Sequence, residues 1–528
     1  MRTTILAILL LFYASLAAQQ PREDLPPQLD AYINRVLEKF NVPGMSVGIV
    51  KNGRLLLAKG YGVKELGRPE KVTEKTLFSI ASNTKAFTAT ALAILVEEGK
   101  LAWSDPVIDH LPWFRMSDPY VTMQLTVRDI LVHHSGLPAY GGDLLIFPPS
   151  TYSRKEIVEK LKDIPLRYPF RSQYAYDNIL YLVAGELIEK VSGMPWEDFV
   201  QARILNKVGM TGTLPRFSLI DRQPDVSASH VLLNGKPVVA HRYSKQAIGD
   251  AGNPAGGILS NAADMCNWLI TQLDSGRSPV GQTVFRPSST AELWKIVCPM
   301  PIPRQPTALK AAQVDFYGYA LGLRAYNYGA YKVIGHGGKL DGFVSQIAMV
   351  PALGLGVVVL TNQESTGAYW SVIYRILDHY MYNPPTDWTS AYRAQLDSSL
   401  ARTARERKAL PPAAASQKTP PLPLENYAGR YHDKSYGELE IRLNNGTLEM
   451  AFLQSPELKA NLQYYQFNSF LAKFGNPTLR ADSWVSFDLQ PDGKIAAIRL
   501  QIIDPGSDLS FDNLLFKPLP PAVKQHSP

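Results

Sequence analysis

A proline-rich segment at residues 411–423 divides the chain of 528 residues into two regions of different character. Proline has no amide hydrogen and a fixed φ, so this segment continues neither a helix nor a central strand. Its composition predicts a semi-rigid linker, within a helix-and-linker stretch at residues 386–424. Because the chain is also too long for one hydrophobic core, the linker predicts separate domains on its two sides.

The region before the linker, residues 25–385, combines helical and strand patterns. Apolar residues recur at helical spacing over 29–40, and the apolar segment 77–99 predicts a long helix that ends at a glycine. Residues 45–58 form two apolar runs around an Asn-Gly turn, and residues 346–361 show a second hairpin pattern. Strands at both ends with helices between them predict an α+β fold in which distant segments share one antiparallel sheet.

Beyond the linker, residues 425–520 alternate apolar and polar positions, as strands with one buried face do. Turn signals at Asn445-Gly446 and at 491–494 separate the alternating runs. The pattern predicts a small all-β, barrel-like domain.

Residues 1–18 have the organisation of a secretory signal. A positive start at Met1-Arg2 precedes an apolar run at 5–14, and small residues follow at 15–17, the positions that signal peptidase reads. The alternative is a membrane anchor, but the apolar run is shorter than the roughly 20 residues that a span needs. We therefore expect cleavage, a periplasmic or secreted location, and no stable membrane span.

Composition argues against several classes of function. Lys plus Arg exceeds Asp plus Glu by only seven and no long basic block occurs, so nucleic acid is not an expected partner. Two cysteines, Cys266 and Cys298, are too few for a disulfide framework or a cysteine-based zinc site. The chain also lacks the His-Glu-x-x-His and Gly-x-x-x-x-Gly-Lys motifs. We expect no metal and no cofactor.

Ser82-Asn-Thr-Lys85 is the only Ser-x-x-Lys sequence in the chain. An apolar run follows it, so Ser82 falls at a helix N-terminus and Lys85 lies one turn later on the same face. Free N–H groups at a helix start favour a developing negative charge, and burial lowers the pKa of a lysine toward that of a useful base. The alternative is a serine that only caps the helix, followed by an ordinary surface lysine.

Two later segments favour the catalytic interpretation. Tyr176-Asp-Asn178 precedes an amphipathic helix at 181–193, and His336-Gly-Gly338 precedes the strand that contains residue 346. Ser-x-x-Lys, Tyr-x-Asn and His-Gly-Gly in this order resemble the serine β-lactamase and penicillin-binding-protein superfamily. The resemblance is greatest to its class C-like hydrolases, which include esterases and D-aminopeptidases. Further segments resemble that pattern at residues 134–138, 256–260 and 357–362.

The resemblance implies a β-lactamase-like fold, with an antiparallel sheet flanked by helices and a helical subdomain. The region after the linker resembles the lipocalin-like domain that often follows such hydrolases. The first resemblance covers roughly residues 28–385, and the second rests on a weaker match.

The resemblance also implies roles for individual residues. It makes Ser82 the acylated nucleophile, with Lys85 and Tyr176 sharing the proton transfers. As a base, Tyr176 is expected to have a depressed pKa caused by the nearby Lys85 cation. Asn178 is expected to bind a substrate carbonyl or to hold Lys85. The backbone N–H groups of Ser82 and Lys339 are expected to form the oxyanion hole, while the Lys339 side chain is solvated.

His336, Gly337 and Gly338 are the expected substrate-binding positions on the late strand. The glycines leave room for an acyl group, so larger residues there are expected to reduce activity more than stability. Penicillin-recognising relatives usually have lysine in place of His336, and a mostly neutral histidine weakens the case for a substrate carboxylate. A purely structural role is the alternative for His336. Asp177 is expected to lie at the surface.

These features predict an exported serine hydrolase that cleaves esters or amides, with peptides containing D-residues among the candidate substrates. The alternative within the same chemistry is a β-lactamase or a DD-carboxypeptidase. An alternative of another class is a non-catalytic ligand-binding or sensing protein on the same fold. The expected partner is a small-molecule or peptide substrate, and the sequence leaves the oligomeric state open.

Overall fold

The computed structural model describes residues 22–240, 248–340, 342–408, 419–504 and 507–520. The expected signal sequence and most of the proline-rich linker lie outside the described residues. In the described part of the chain, no helix is long and apolar enough to cross a bilayer.

The strands of the first region fall into one large sheet and two small ones. Their bounds are Gly44–Lys51 (β1), Arg54–Gly62 (β2), Phe78–Ser79 (β3), His230–Leu233 (β4), Lys236–Val239 (β5), Leu259–Ser260 (β6), Cys298–Pro299 (β7), Tyr317–Tyr319 (β8), Arg324–Tyr328 (β9), Tyr331–Leu340 (β10), Phe343–Val350 (β11) and Leu355–Thr361 (β12). The large antiparallel sheet has the order β2-β1-β12-β11-β10-β9-β8-β7. β1 therefore pairs with β12, as the expectation of a sheet closed by distant segments requires.

The helices of this region and the long helix before the linker surround that sheet. Their bounds are Leu29–Phe40 (α1), Thr84–Glu97 (α2), Val107–His110 (α3), Pro119–Gln124 (α4), Arg154–Glu159 (α5), Ile179–Ser192 (α6), Trp196–Val200 (α7), Asn206–Val208 (α8), Asn253–Gly256 (α9), Ala262–Leu273 (α10), Pro287–Leu293 (α11), Thr366–Met381 (α12) and Trp388–Lys408 (α13). Short 3₁₀ turns and one π-helical segment, Gln201–Leu205, connect them.

Both faces of the sheet are buried, and alternate residues of one strand enter different cores. In β11, Ala348 and Val350 pack with α1, α12 and α13 on one face. Ile347 and Met349 of the same strand pack with α2, α6 and α10 on the other face. Because side chains alternate along a strand, continuous apolar runs such as that of β11 are what a sheet between two helical layers needs. The predicted α+β, β-lactamase-like fold is confirmed.

The start of the predicted helix 77–99 is wrong. Phe78–Ser79 instead pairs with β6. The φ of Ala81 is 45°, in the left-handed region that a right-handed α-helix does not use. A 3₁₀ turn at Ala81–Asn83 follows, and α2 begins only at Thr84. The reason lies in the tertiary structure. The backbone groups of Phe78–Ser79 form hydrogen bonds with β6, so they are not available for a longer helix.

The region after the linker is a nearly closed antiparallel barrel. Its strands are Gly429–Asp433 (β13), Gly437–Asn444 (β14), Thr447–Phe452 (β15), Lys459–Gln466 (β16), Ser469–Phe474 (β17), Ser483–Leu489 (β18), Ile495–Ile502 (β19) and Lys517–Pro518 (β20). They follow the order β19-β18-β17-β16-β15-β14-β13-β20, and a bridge between Ile498 and Phe516 brings the ends together. Apolar side chains alternate into one core, which confirms the predicted all-β domain.

Candidate active site

The turn that carries Ser82 is held against the large sheet. Nδ2 of Asn83 donates a hydrogen bond of 2.8 Å to Oγ of Ser345, which in turn donates one of 2.7 Å to the carbonyl of Ile80. Asn83, Ser345 and Ile80 are all buried. The two hydrogen bonds therefore fix the turn to strand β11. Ser82 itself remains partly exposed to the cavity described below.

Lys85 is fully buried one helical turn after Ser82. Its Nζ lies 3.1 Å from Oγ of Ser82 and donates hydrogen bonds to Oδ1 of Asn178 (2.7 Å) and to the carbonyl of Ala255 (2.8 Å). Burial lowers the pKa of Lys85 to about 7. A neutral amine has two hydrogens, which Asn178 and Ala255 accept, so its lone pair faces the hydroxyl of Ser82.

Tyr176 lies half-buried on the other side of Ser82. Its hydroxyl donates a hydrogen bond of 2.8 Å to Oγ of Ser82. The depressed pKa expected for this phenol is wrong, because burial raises the pKa of Tyr176 well above its ordinary value. Nζ of Lys85 lies over the aromatic ring, 5.0 Å from its centre, where a cation contacts the π face. Tyr176 is thus a protonated donor in this arrangement.

Asn178 lies immediately before α6 and joins Lys85 to a carboxylate that the sequence analysis did not single out. Nδ2 of Asn178 donates a hydrogen bond of 2.8 Å to Oδ2 of Asp143. Burial raises the pKa of Asp143 to about 7, against the opposing effects of this hydrogen bond and of the Lys85 charge. No sequence spacing marks Asp143, because it begins a short 3₁₀ turn, Asp143–Leu145, outside the three motifs.

Asp177, expected at the surface, is completely buried. Its backbone N–H donates to Nδ1 of His133 over 3.2 Å, and its Oδ1 accepts from the N–H of Leu180 over 3.4 Å. Burial raises the pKa of Asp177 to about 7. The expectation fails because the chain turns into α6 here and directs both Tyr176 and Asn178 toward Lys85, which leaves Asp177 in the helical core.

Strand β10 brings Gly337, Gly338 and Lys339 to the cavity, but not His336. The ring of His336 is only 1% exposed, and its Nε2 accepts a hydrogen bond of 2.8 Å from the hydroxyl of Tyr319. Its Nδ1 lies 2.6 Å from the carbonyl of Gly337. Burial lowers the pKa of His336 well below its ordinary value, so the ring is neutral. Both of its nitrogens already have hydrogen-bond partners within the protein.

The two glycines of β10 differ in what surrounds them. A Cβ atom on Gly338 would lie 2.2 Å from the backbone oxygen of Ile80, next to the Ser82 turn. A Cβ atom on Gly337 would lie 2.6 Å from Oε1 at the end of the Gln346 side chain, and its nearest backbone atom would be the oxygen of Ser345 at 3.6 Å. Gly338 therefore permits the close backbone contact that positions the turn.

A cavity of about 810 Å³ opens over these residues, and both domains line it. The barrel contributes Tyr436, residues 478–480 and 507–510, and Asn513. At its edge, Nζ of Lys339 forms an ion pair with Asp508 over 2.8 Å, and Arg480 forms one with Glu364. The expectation that the Lys339 side chain is merely solvated is wrong, because the barrel supplies it with a carboxylate.

Arg324 at the start of β9 also lines the cavity. Among the described residues, no carboxylate lies within ion-pair distance of it, and its Nε is buried without a hydrogen-bond acceptor. Its electrostatic neighbours are the neutral phenols of Tyr317, Tyr174, Tyr319 and Tyr176. An arginine that is desolvated without an acidic partner is costly to the fold and suits an anionic ligand.

One other serine matches a hydrolase motif. Gly44-Met-Ser-Val-Gly48 fits Gly-x-Ser-x-Gly, but it runs through strand β1, where Ser46 is buried with its Oγ 3.3 Å from the carbonyl of Thr73. It lacks the strand-to-helix turn that exposes such a nucleophile. Over the described part of the chain, no group of three or more His, Cys, Asp or Glu residues is arranged to hold a metal.

Comparisons with known proteins agree with this geometry. The family described as beta-lactamase matches residues 29–379, and a domain of unknown function, DUF3471, matches residues 413–518. The chain is 30% identical over 431 residues to Unguisins hydrolase ungD' of Aspergillus campestris (strain IBT 28561), covering 78% of this chain and 76% of that protein. It is 26% identical over 380 residues to Protein flp of Staphylococcus aureus (strain NCTC 8325 / PS 47), covering 71% of each.

Solved structures share the fold. The octameric penicillin-binding protein homologue from Pyrococcus abyssi has a TM-score of 0.55 at 20% identity, covering 93% of this chain and 99% of that one. A class C beta-lactamase from Rhodobacter sphaeroides has a TM-score of 0.53 at 23% identity, covering 67% of this chain and 99% of that one. With the family match over most of the first domain, the chain belongs to the beta-lactamase family, within the β-lactamase and penicillin-binding-protein-like superfamily of serine hydrolases.

Proposed function

We propose that the chain is an exported serine hydrolase that cleaves ester or amide bonds, including those of peptides with D-residues, through an acyl-enzyme on Ser82. One observation carries the proposal. Oγ of Ser82 lies 3.1 Å from the buried amine of Lys85 and accepts a 2.8 Å hydrogen bond from Tyr176. A nucleophile within reach of both a base and a proton donor is the arrangement that acyl transfer needs.

In the first step, the neutral amine of Lys85 accepts the proton of Ser82 as Oγ attacks the substrate carbonyl carbon. The backbone N–H groups of Ser82 and Lys339 stabilise the negative charge that develops on the carbonyl oxygen. The phenol of Tyr176 then gives its proton to the leaving oxygen or nitrogen as that bond breaks, and it is reprotonated from Lys85. Burial raises its pKa, which keeps the phenol protonated and so available as a donor, and the coupled proton transfer from Lys85 avoids leaving a buried phenolate.

In the second step, water attacks the acyl carbon of the Ser82 ester. Tyr176 and Lys85 return one proton of that water to Oγ of Ser82, and the carboxylic acid leaves. Asn178 keeps Lys85 in place throughout, and Gly337 gives the acyl group room along β10. His336 contributes to the shape of that strand through its neighbours and has no contact with the cavity.

A second candidate function is supported by Arg324. β-Lactams and peptides ending in D-Ala both carry a carboxylate close to the scissile bond, and Arg324 is a cation in the cavity wall without an acidic partner in the described structure. It offers the anion recognition that a neutral His336 lacks. A β-lactamase or DD-carboxypeptidase activity therefore remains the alternative to a general esterase or amidase.

Covalent labelling tests the proposal. The mature protein is treated with a fluorescent fluorophosphonate, and the modified residue is identified by peptide mass mapping. We expect modification of Ser82 and loss of labelling in Ser82→Ala. Equal labelling of both proteins, or none of either, favours the ligand-binding alternative. A panel of nitrophenyl esters, D- and L-aminoacyl anilides and nitrocefin then separates the substrate classes.

Export is tested separately. Expression of the full chain in a bacterial host with an outer membrane is followed by fractionation and mass analysis of the N-terminus. We expect a periplasmic or secreted protein that begins after about residue 18. A protein that retains Met1 in the cell interior contradicts this part of the proposal.

A further inference from the structure

Asp143 lines the cavity, and none of the roles above uses it. Its Oδ2 accepts the hydrogen bond from Nδ2 of Asn178, whose Oδ1 accepts the bond from Nζ of Lys85. Its Oδ1 is buried without a hydrogen-bond partner among the described residues. A carboxylate oxygen that is buried without a hydrogen-bond partner costs stability, so it calls for an explanation in terms of function.

The two hydrogen bonds of Asn178 decide which way its amide points. If the amide were turned over, its NH₂ group would face the N–H donors of Lys85, and its oxygen would face the carboxylate of Asp143. Both contacts would be repulsive. Asp143 thereby directs the acceptor oxygen of Asn178 at Lys85.

We propose that Asp143 is a positioning residue for the reaction, which locks the Asn178 amide toward Lys85 and whose negative charge favours the ammonium form of that lysine. The inference rests on the proposed function, because it concerns the base of that same site. Asp143 is not required to touch substrate.

The charges around Lys85 come from several elements. Asp143 and Asp177 raise the pKa of Lys85, and Arg324 lowers it, against the larger lowering by burial. The negative charge of Asp143 thus opposes the effect of burial and holds the pKa of Lys85 higher than burial alone would. Other titratable neighbours are uncharged near neutral pH: Tyr176, Tyr181, His133 and His336 around Lys85, and Tyr140 and Tyr436 around Asp143.

The loop that carries Asp143 is held from both domains. The N–H of Tyr140 donates 2.6 Å to the carbonyl of Tyr176, and the N–H of Gly142 donates 3.3 Å to the hydroxyl of Tyr436 in the barrel. Leu144 packs into the barrel core. These contacts fix the position of the segment that carries Asp143. A residue that orients another side chain has to be held in place itself.

The test compares Asp143→Asn with Asp143→Ala in the full mature protein. Asparagine removes the charge but keeps an acceptor for Nδ2 of Asn178, whereas alanine removes both. The measurement is kcat/KM for p-nitrophenyl butyrate from pH 5 to 9. Asp274→Asn is the matched control, because it removes an exposed carboxylate of the same domain.

In Asp143→Asn we expect the acid limb of the profile to move to lower pH by a fraction of a unit, because the lysine loses a favourable charge that Asp143 carries only as it ionises near pH 7. The plateau stays within a few-fold of wild type. In Asp143→Ala the limb moves likewise, and the plateau falls about tenfold because the Asn178 amide is free to turn over. Limbs that coincide with those of wild type and Asp274→Asn overturn the proposal.

A second measurement keeps this inference separate from the proposed function and from a failure of Asp143→Ala to fold. The pKa of Lys85 is followed by NMR on protein labelled at the lysine Cε carbons, with the signal assigned from Lys85→Arg. A lower lysine pKa in Asp143→Asn supports the charge coupling whether or not Ser82 is acylated. An unchanged lysine pKa overturns it.

Discussion

Tyr176 and Ser82 lie 94 residues apart in the chain, yet the phenol of one donates a 2.8 Å hydrogen bond to the hydroxyl oxygen of the other. The bond joins the loop before α6 to the turn before α2, and both are packed in the same helical core. Because burial raises the pKa of Tyr176, the bond is that of a neutral phenol to a serine oxygen. The proposed division of labour rests on this contact: in the proposal, the amine of Lys85 removes a proton and the phenol of Tyr176 supplies one.

Replacement of Lys85 by methionine tests the base. The side chain keeps its length and stays buried, but the amine that faces Ser82 is lost. We expect acylation by nitrophenyl esters to fall by about 100-fold or more, since no other described base lies within reach of Oγ. Stopped-flow release of nitrophenolate measures the acylation step, and circular dichroism checks the fold. Acylation within a few-fold of wild type contradicts the assignment.

Tyr176→Phe tests the proton donor, and the leaving group makes the test selective. A nitrophenolate leaves without protonation, whereas an alkoxide or amine must be protonated as it departs. We therefore expect a loss of about 100-fold for alkyl esters and anilides and a clearly smaller loss for nitrophenyl esters. The ratio of the two losses is the measurement. Equal losses for all leaving groups indicate that the phenol has another role.

The pH dependence of the wild-type protein distinguishes the two candidate bases. Lys85 acts only when unprotonated, and its pKa is lowered to about 7, so kcat/KM for a neutral ester rises as pH increases through that value. Activity is lost below it, where the ammonium form dominates. Were the phenolate of Tyr176 the base, the rise would occur at or above the ordinary tyrosine pKa of about 10. A profile from pH 5 to 11 decides between them.

Gly337→Ala and Gly338→Ala form a matched pair on one strand. The new methyl group at position 338 meets the backbone of Ile80 and displaces the Ser82 turn, whereas the one at 337 meets the end of the Gln346 side chain and no backbone atom closer than 3.6 Å. We expect Gly338→Ala to lower both the melting temperature and the rate of Ser82 labelling, and Gly337→Ala to lower mainly the rate with bulky acyl groups. This refines the expectation from sequence, in which both glycines affected activity more than stability. Equal melting temperatures of the two variants contradict the distinction.

Arg324→Met tests recognition of a substrate anion. Two nitrophenyl glutarates are compared, one with a free carboxylate and one as its methyl ester. We expect kcat/KM for the free acid to fall about tenfold or more, as the loss of a charge-assisted hydrogen bond predicts, with the methyl ester little changed. Parallel changes for both substrates indicate a structural role for the arginine instead.

Local patterns anticipated a large part of this molecule. The hairpin of β1 and β2 followed from an Asn-Gly turn between apolar runs, and α1 has the bounds that its helical spacing indicated. The placement of Lys85 one turn after Ser82 depended only on helix geometry. Such features are determined by residues close together in the chain, so they can be predicted without the tertiary structure.

Other features are properties of the packed structure alone. The burial of Asp177, the unpaired Nε of Arg324 and the orientation of Asn178 by Asp143 depend on which segments meet in space. The sequence also did not predict that the barrel forms part of the cavity wall. The alternating pattern of its strands does not indicate which of its loops face Ser82. The order of residues along this chain was sufficient to indicate a candidate nucleophile and its helix. Only the folded structure removed the surrounding water, and the loss of that water lowers the pKa of Lys85 and keeps Tyr176 protonated.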